Sequence, residues 1–175
     1  MRAVVVYESM YGNTRLIAEA IADGLRSAAE VVVVPVGGAP QKLLEGADLV
    51  VVGGPTHVHG MSRANTRQAA ADMAREPASG VRLDPDAEGD GLREWLSSLG
   101  HLTARAAAFD TRIQGPAAFT GRASRGISKE LGRHGLRVVA EPVSFFVTKE
   151  NHLKPGEEDR ARRWGEQLAP EKVVA

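Results

Sequence analysis

The segment Glu8-Ser9-Met10-Tyr11-Gly12-Asn13-Thr14 concentrates the groups in this chain best suited to chemistry. Ser9, Tyr11, Asn13 and Thr14 carry side chains that donate hydrogen bonds, and Gly12 lets the backbone come close to a ligand. Such a loop needs no lysine or arginine to hold an anion, because free N–H groups at a helix N-terminus favour negative charge. It reads as a phosphate cradle built from neutral donors. The competing reading is an ordinary helix cap, in which Asn13 or Thr14 satisfies the first turn and Ser9 is incidental.

Other motifs fail on spacing. A dinucleotide turn requires Gly-x-Gly-x-x-Gly after the first strand, and this turn has Gly12 alone. Residues 121–128 have the glycine spacing of a P-loop, but Ile127 stands where the phosphate-binding lysine belongs. No Gly-x-Ser-x-Gly elbow occurs. His57 and His59 are spaced to share a metal, yet Met61 and Ser62 occupy the places where a His-x-His-x-Asp-His site needs Asp and His, so no metal site is expected. Asp84 to Asp90 begins like a calcium loop and fails at its end, where Trp95 replaces the closing glutamate. The absence of cysteine excludes disulfides, thiolate metal sites and iron–sulfur clusters. No catalytic acid, base or nucleophile is expected.

The elements that must position the first loop alternate regularly. Residues 3–7, 31–36 and 48–53 are β-branched runs without polar alternation, as in strands covered on both faces. Leu16, Ile17, Ala20, Ile21 and Leu25 recur at helical spacing after the loop. Residues 39–46 form a short crossover, 63–75 and 92–99 further helices, and 105–110 a fourth strand. A helix over 124–134 leads to a last strand over 136–148, with Pro142 marking a bulge or an edge, and a polar helix over 157–168 closes the chain. This order predicts a doubly wound, five-stranded parallel α/β sheet with helices on both faces, in one domain spanning residues 1–175. Residues 76–91, rich in Pro, Gly and Asp, break the rhythm and read as an inserted, dispensable surface loop.

Lys plus Arg and Asp plus Glu both number 22, which gives no electrostatic case for nucleic acid or an anionic membrane. The apolar N-terminal run turns polar by Glu8, too short for a signal peptide or a membrane span, so a cytoplasmic location is expected.

Ser9-Met10-Tyr11-Gly12-Asn13-Thr14 resembles the phosphate loop of the flavodoxin family, Ser/Thr-x-Thr-Gly-x-Thr, with Tyr11 replacing the middle threonine. The resemblance runs from Met1 to about Leu168. It implies strand order 2-1-3-4-5 and one FMN bound outside the carboxyl ends of the strands, for which flavodoxin is itself the standard illustration. The phosphate would then lie on Ser9, Met10, Tyr11, Gly12, Asn13 and Thr14. Two later loops, 54–62 and 111–121, would flank the isoalloxazine through Pro55, Thr56, His57, Val58, His59 and Gly60, and through Asp110, Thr111, Arg112 and Phe119.

The chain departs from the family's pattern in two respects. Neither ring loop offers a Trp or Tyr, and the chain is neutral where the family's carriers are typically acidic. The borders of these loops bring His57, His59, Arg63, Arg112 and Arg122 against Asp110 alone, which predicts a less reducing flavin than in those carriers. Two roles follow from the resemblance. One is an electron carrier for a redox partner protein; the other is an FMN-dependent oxidoreductase passing electrons from a nicotinamide donor to a quinone or similar acceptor. A phosphoacceptor receiver on the same fold is disfavoured, because Val52-Gly53-Gly54 lacks the acceptor aspartate.

Overall fold

Unbroken runs of valine and alanine form strands here because helices cover both sheet faces and no position needs a polar side chain. The structure, a computed structural model, describes residues 1–169; residues 170–175 of the expected domain lie outside that description. In chain order the elements are β1 (Arg2–Tyr7), α1 (Asn13–Leu25), β2 (Glu30–Pro35), α2 (Gln41–Leu44), β3 (Leu49–His57), β4 (Gly60–Met61), α3 (Ala64–Arg75) and α4 (Leu92–Ser98). There follow β5 (Arg105–Ile113), α5 (Ala117–Thr120), α6 (Ala123–Arg133), β6 (Arg137–Val138), β7 (Val143–Val147) and α7 (Glu157–Leu168).

The parallel sheet runs β2-β1-β3-β5, with β6 and then β7 beside β5. With β6 and β7 taken as two pieces of one last strand, this is the expected order 2-1-3-4-5. The break falls at Pro142, which has no N–H to donate to the ladder. The two-residue β4 folds back antiparallel on the end of β3, pairing His57 with Gly60. A strand that short has no sequence period to betray it.

Alternate residues enter opposite cores. Val4, Val6, Val50, Val52, Ala106 and Ala108 face Leu92, Trp95 and Leu96 of α4 and Ile127 and Leu131 of α6. Ala3, Val5, Leu49, Val51, Ala107 and Phe109 face Ile17, Ile21 and Leu25 of α1 and Trp164 and Leu168 of α7. Burial of each such aliphatic side chain contributes about 1.5–3 kcal/mol before the entropy of ordering it.

Helices α1 and α7 cross with their backbones in contact. A Cβ on Gly24 would stand 2.0 Å from the carbonyl oxygen of Arg162, and one on Gly165 would stand 2.2 Å from that of Ile21. The pair of glycines thereby fixes the depth at which α1 lies on the sheet. In an open helix Gly→Ala stabilises by up to about 1 kcal/mol, but forcing atoms into a closed interface costs about 1–3 kcal/mol or more, so packing decides the sign. Gly165→Ala is therefore expected to lower unfolding stability in urea by at least about 1 kcal/mol. An equally or more stable variant would show that the helices part without penalty.

Candidate functional site

The chain leaves β1 at Tyr7 and turns directly into α1. Gly12 takes a left-handed conformation (φ +90°) at the N-cap, its N–H donates to Ser9 Oγ at 3.1 Å, and its carbonyl accepts from Leu16 N at 3.0 Å. No side chain caps α1. The side chains that could have done so are engaged elsewhere. Asn13 Nδ2 donates to the carbonyl of Asn151 at 2.8 Å, Thr14 Oγ1 lies 2.7 Å from Thr111 Oγ1, and the Tyr11 hydroxyl donates to the carbonyl of Ala70 at 2.9 Å. This rules out the ordinary-cap reading of Asn13 and Thr14, and it leaves the N–H groups of the first turn, with their partial positive charge, available to an anion.

A cleft of about 130 Å³ opens at the strand ends, lined by Met10, Tyr11, Asn13 and Thr14 on one side and by Pro55–His57 and Thr111–Ile113 on the others. A more open groove of about 360 Å³ adjoins it and shares Tyr11, Thr56, His57 and Asn151, adding Val58 and the α3 face with Ala70 and Met73. Three segments remote in sequence thus converge on the cleft. Ser9 lies buried beneath the loop as an acceptor for Gly12. His59 and Gly60 stand on the far side of the β3–β4 turn and line neither space.

Besides His59 and Gly60, two more of the expected ring neighbours are placed elsewhere. Asp110 is fully buried, and its Oδ2 accepts from Ser124 N at 2.7 Å, so it satisfies the start of α6 instead of facing the cleft. Phe119, on the short α5, is exposed and lines neither space. Conversely, Val147 and Asn151 line the cleft and were not anticipated. Asn151 has φ +61°, a conformation Asn tolerates better than most, and Lys149-Glu150-Asn151-His152 at the end of the last strand was the available turn signal.

The loops flanking the cleft hold each other. Val58 and His59 both have positive φ (43° and 71°), forming a tight two-residue hairpin that strains a β-branched residue. His59 pairs with Gly121, where a Cβ would fall 2.1 Å from His59 Cα. Arg112 organises the loop after β5, donating to the Gly115 carbonyl at 2.9 Å and to Thr120 Oγ1 at 2.5 Å, with its guanidinium 5.0 Å from the Phe146 ring centre. Arg122 turns away to the Pro142 carbonyl.

Behind the cleft lies a buried polar network. Glu8 accepts from Leu92 N at 2.8 Å and from the Ser62 hydroxyl, while Arg67 donates to Ser62 Oγ at 3.2 Å and pairs with Glu94 at 3.2 Å. His57 lies close enough to feel it. Burial, reinforced by Arg67 and opposed by Glu8, pushes the His57 pKa below its ordinary value, so the ring is neutral at pH 7 and brings no charge to the cleft.

Residues 76–91 contain no helix or strand, yet they are not a free surface loop. Asp84 N donates to the Met10 carbonyl at 2.7 Å, and its buried carboxylate accepts from Arg15 Nε at 3.0 Å. Leu83 and Ala87 pack with Met10 and Ala70. The segment straps the back of the loop after β1, so it is packed onto the fold where a free surface excursion was expected.

A family model described as Flavodoxin matches residues 5–109. Among solved structures, a flavodoxin from the domain Archaea is 20% identical with a TM-score of 0.65, covering 97% of this chain and 96% of that one. Flavodoxin 1 from Bacillus cereus is also 20% identical, with a TM-score of 0.63 over 94% and 95% of the two chains. A flavodoxin from Streptococcus pneumonia TIGR4 is 18% identical, with a TM-score of 0.67 over 97% and 98%. At these identities the structures establish a shared fold. No curated protein matches by sequence.

Two outcomes test this geometry. Above about pH 6.5 His57 is neutral in both folded and unfolded chains and its share of stability is complete. As the pH falls, the unfolded chain takes up the proton first, so stability is lost as the pH falls from there through the depressed folded-state pKa. Urea midpoints from pH 7.5 to 5 should show this fall in the wild type and less of it in His57→Gln; identical pH profiles would contradict it. Asp84→Ala should cost about 1–2 kcal/mol, less than for a fully buried pair because Arg15 regains water, and an unchanged unfolding midpoint would show that the strap is not anchored there.

Proposed function

Because the chain belongs to the flavodoxin family, whose cofactor is FMN, we propose that it is an electron carrier holding one FMN non-covalently in the cleft beside α1. The observation that carries this reading is the uncapped N-terminus of α1, left open while Tyr11, Asn13 and Thr14 bond to Ala70, Asn151 and Thr111. An unsatisfied row of N–H groups at the head of a cleft suits a phosphate monoester. Bound there, FMN supplies the redox chemistry, and the protein binds, orients and shields it.

In this reading the first-turn N–H groups hold the phosphate together with the Thr14 hydroxyl, which accepts from Thr111 and donates its own proton to the anion. Tyr11 and Pro55–His57 wall one side, while Thr111–Ile113 wall another. Arg112 keeps the loop after β5 in place through Gly115 and Thr120, and the neutral His57 adds no charge. No side chain has to move a proton. The enzymatic alternative, electrons passing from a nicotinamide to a quinone or similar acceptor, draws support from the open groove of about 360 Å³ beside the cleft. Stopped-flow mixing of the FMN-loaded protein with NADPH or NADH separates the two: rapid flavin bleaching favours the enzyme, and a slow response favours the carrier.

The phosphate assignment has its own test. Loss of one hydrogen bond to a charged group costs about 1.5–3 kcal/mol, so Thr14→Ala should weaken FMN binding about 10- to 100-fold in a fluorescence titration. Riboflavin, lacking the phosphate, should bind the wild type far more weakly than FMN and be little affected by the substitution. Equal affinities for the two flavins would overturn the assignment.

A further inference from the structure

The chain's zero net charge hides a local imbalance around the cleft. The segments forming its mouth are 57–63, 112–122 and 148–154, and they carry Arg63, Arg112, Arg122, Lys149 and Lys154 against a single acid, Glu150. Among the described residues none of these five cations pairs with a carboxylate. Arg112 and Arg122 donate to carbonyl and hydroxyl oxygens, and Lys154 donates to Gln114 Oε1, so their charge is fixed in place, offset at Arg112 alone by the fully buried Asp110. Asp72, next to Met73 on α3, is itself paired with Arg75. The balancing acids include Asp84, Asp86, Glu88 and Asp90, which belong to the strap behind the phosphate-type loop.

The same mouth is apolar. Five large apolar side chains are exposed among the described residues, and four of them belong here: Val58 at 81%, Phe119 at 78%, Met73 at 49% and Ile113 at 43%. Val58 and Met73 line the groove and Ile113 the cleft, while Phe119 rides on the loop that Gly121 docks against the Val58 hairpin. Val58 is held outward by a strained left-handed turn. An apolar centre bordered by unpaired cations is the anatomy of a protein-docking patch, and the sign of its border selects the partner.

Resting on the carrier reading above, we propose that this face docks a redox protein whose own docking face is acidic around an apolar centre. Electrostatic steering of such a partner raises the association rate at low salt by about 10- to 1,000-fold and fades as ions screen it.

Two small haem proteins of opposite charge serve as probes: the acidic soluble domain of cytochrome b5 and the basic cytochrome c. The FMN-loaded protein is reduced anaerobically and mixed with either in excess. Each fully reduced flavin gives up two electrons, one to each of two ferric haems, which become ferrous, and its protons pass to water. The expected result is a rate with cytochrome b5 that falls at least about tenfold between low and high salt, and a rate with cytochrome c that does not. Lys149→Glu with Lys154→Glu should abolish or invert that preference without changing FMN affinity. A wild type that prefers cytochrome c, or shows no salt dependence with either, would overturn the proposal. So would co-sedimentation with mixed phosphatidylcholine and phosphatidylserine vesicles, abolished by the same substitutions, since the patch would then serve a membrane surface. NMR shift mapping with cytochrome b5, with and without FMN, reads docking separately from electron flow. Shifts centred on Val58, Phe119 and Lys149 support the inference, and shifts elsewhere or none refute it. A chain that docks in this way yet takes up no FMN would keep this inference and lose the carrier reading.

Discussion

The first turn of α1 presents N–H groups that no side chain caps, and much of the surrounding structure keeps them in that condition. Donors left without partners cost about 1–3 kcal/mol each when water is also excluded, so such a turn persists only where the rest of the fold holds the loop. Gly12 supplies the left-handed entry. Ser9 secures the Gly12 N–H from below, and Asn13, Thr14 and Tyr11 each reach a partner distant in the chain. The helix itself is set at a fixed depth by the contact of Gly24 and Gly165 with the opposing backbones of α7 and α1. A side chain at either glycine would lift α1 off the sheet and misplace its N-terminus together with everything the loop contacts.

Rigidity at the cleft comes from loops bonded to loops. Arg112 braces the connection after β5 from within, Gly121 pairs that connection with the β3–β4 hairpin, and Asn151 ties the last connection to α1. The strained Val58-His59 turn survives because His57 pairs with Gly60 on one side and His59 with Gly121 on the other. Below, Asp84 and Leu92 fasten residues 76–91 to Arg15, Met10 and Glu8. One backbone group of the segment, Asp84 N, bonds directly to the Met10 carbonyl of the loop after β1.

Charge is distributed with the same economy. His57 is neutral because burial outweighs the attraction of Glu8, and Arg122 is drawn to the Pro142 carbonyl. Of the five positions read from the loop borders, His57 and Arg112 line the cleft and burial keeps His57 neutral, so a flavin held there would meet less positive charge than the count of residues implied. Arg63 and Lys149 are exposed in the segments at the mouth, where salt and a partner's surface can reach them.

The sequence by itself determined the alternation of strands and helices, the α/β class of the sheet, and the Gly12 turn between β1 and α1, because these rest on local periodicity and on turn residues at fixed offsets. The strand order and the two later loops at the strand ends came from the resemblance to the flavodoxin family. Tertiary structure alone decided which side chains within those loops face the cleft. Asp110 and Thr111 are neighbours on β5, yet the pleat sends one to the start of α6 and the other to Thr14. Asn151 joins the cleft through a bond to Asn13 across 138 positions, and Asp84 reaches Arg15 across 69. The neutrality of His57, the burial of Asp110 and the anchoring of residues 76–91 depend on neighbours far away in the chain. Short-range pattern carries no information about such contacts, which exist only once the sheet has brought the loops together.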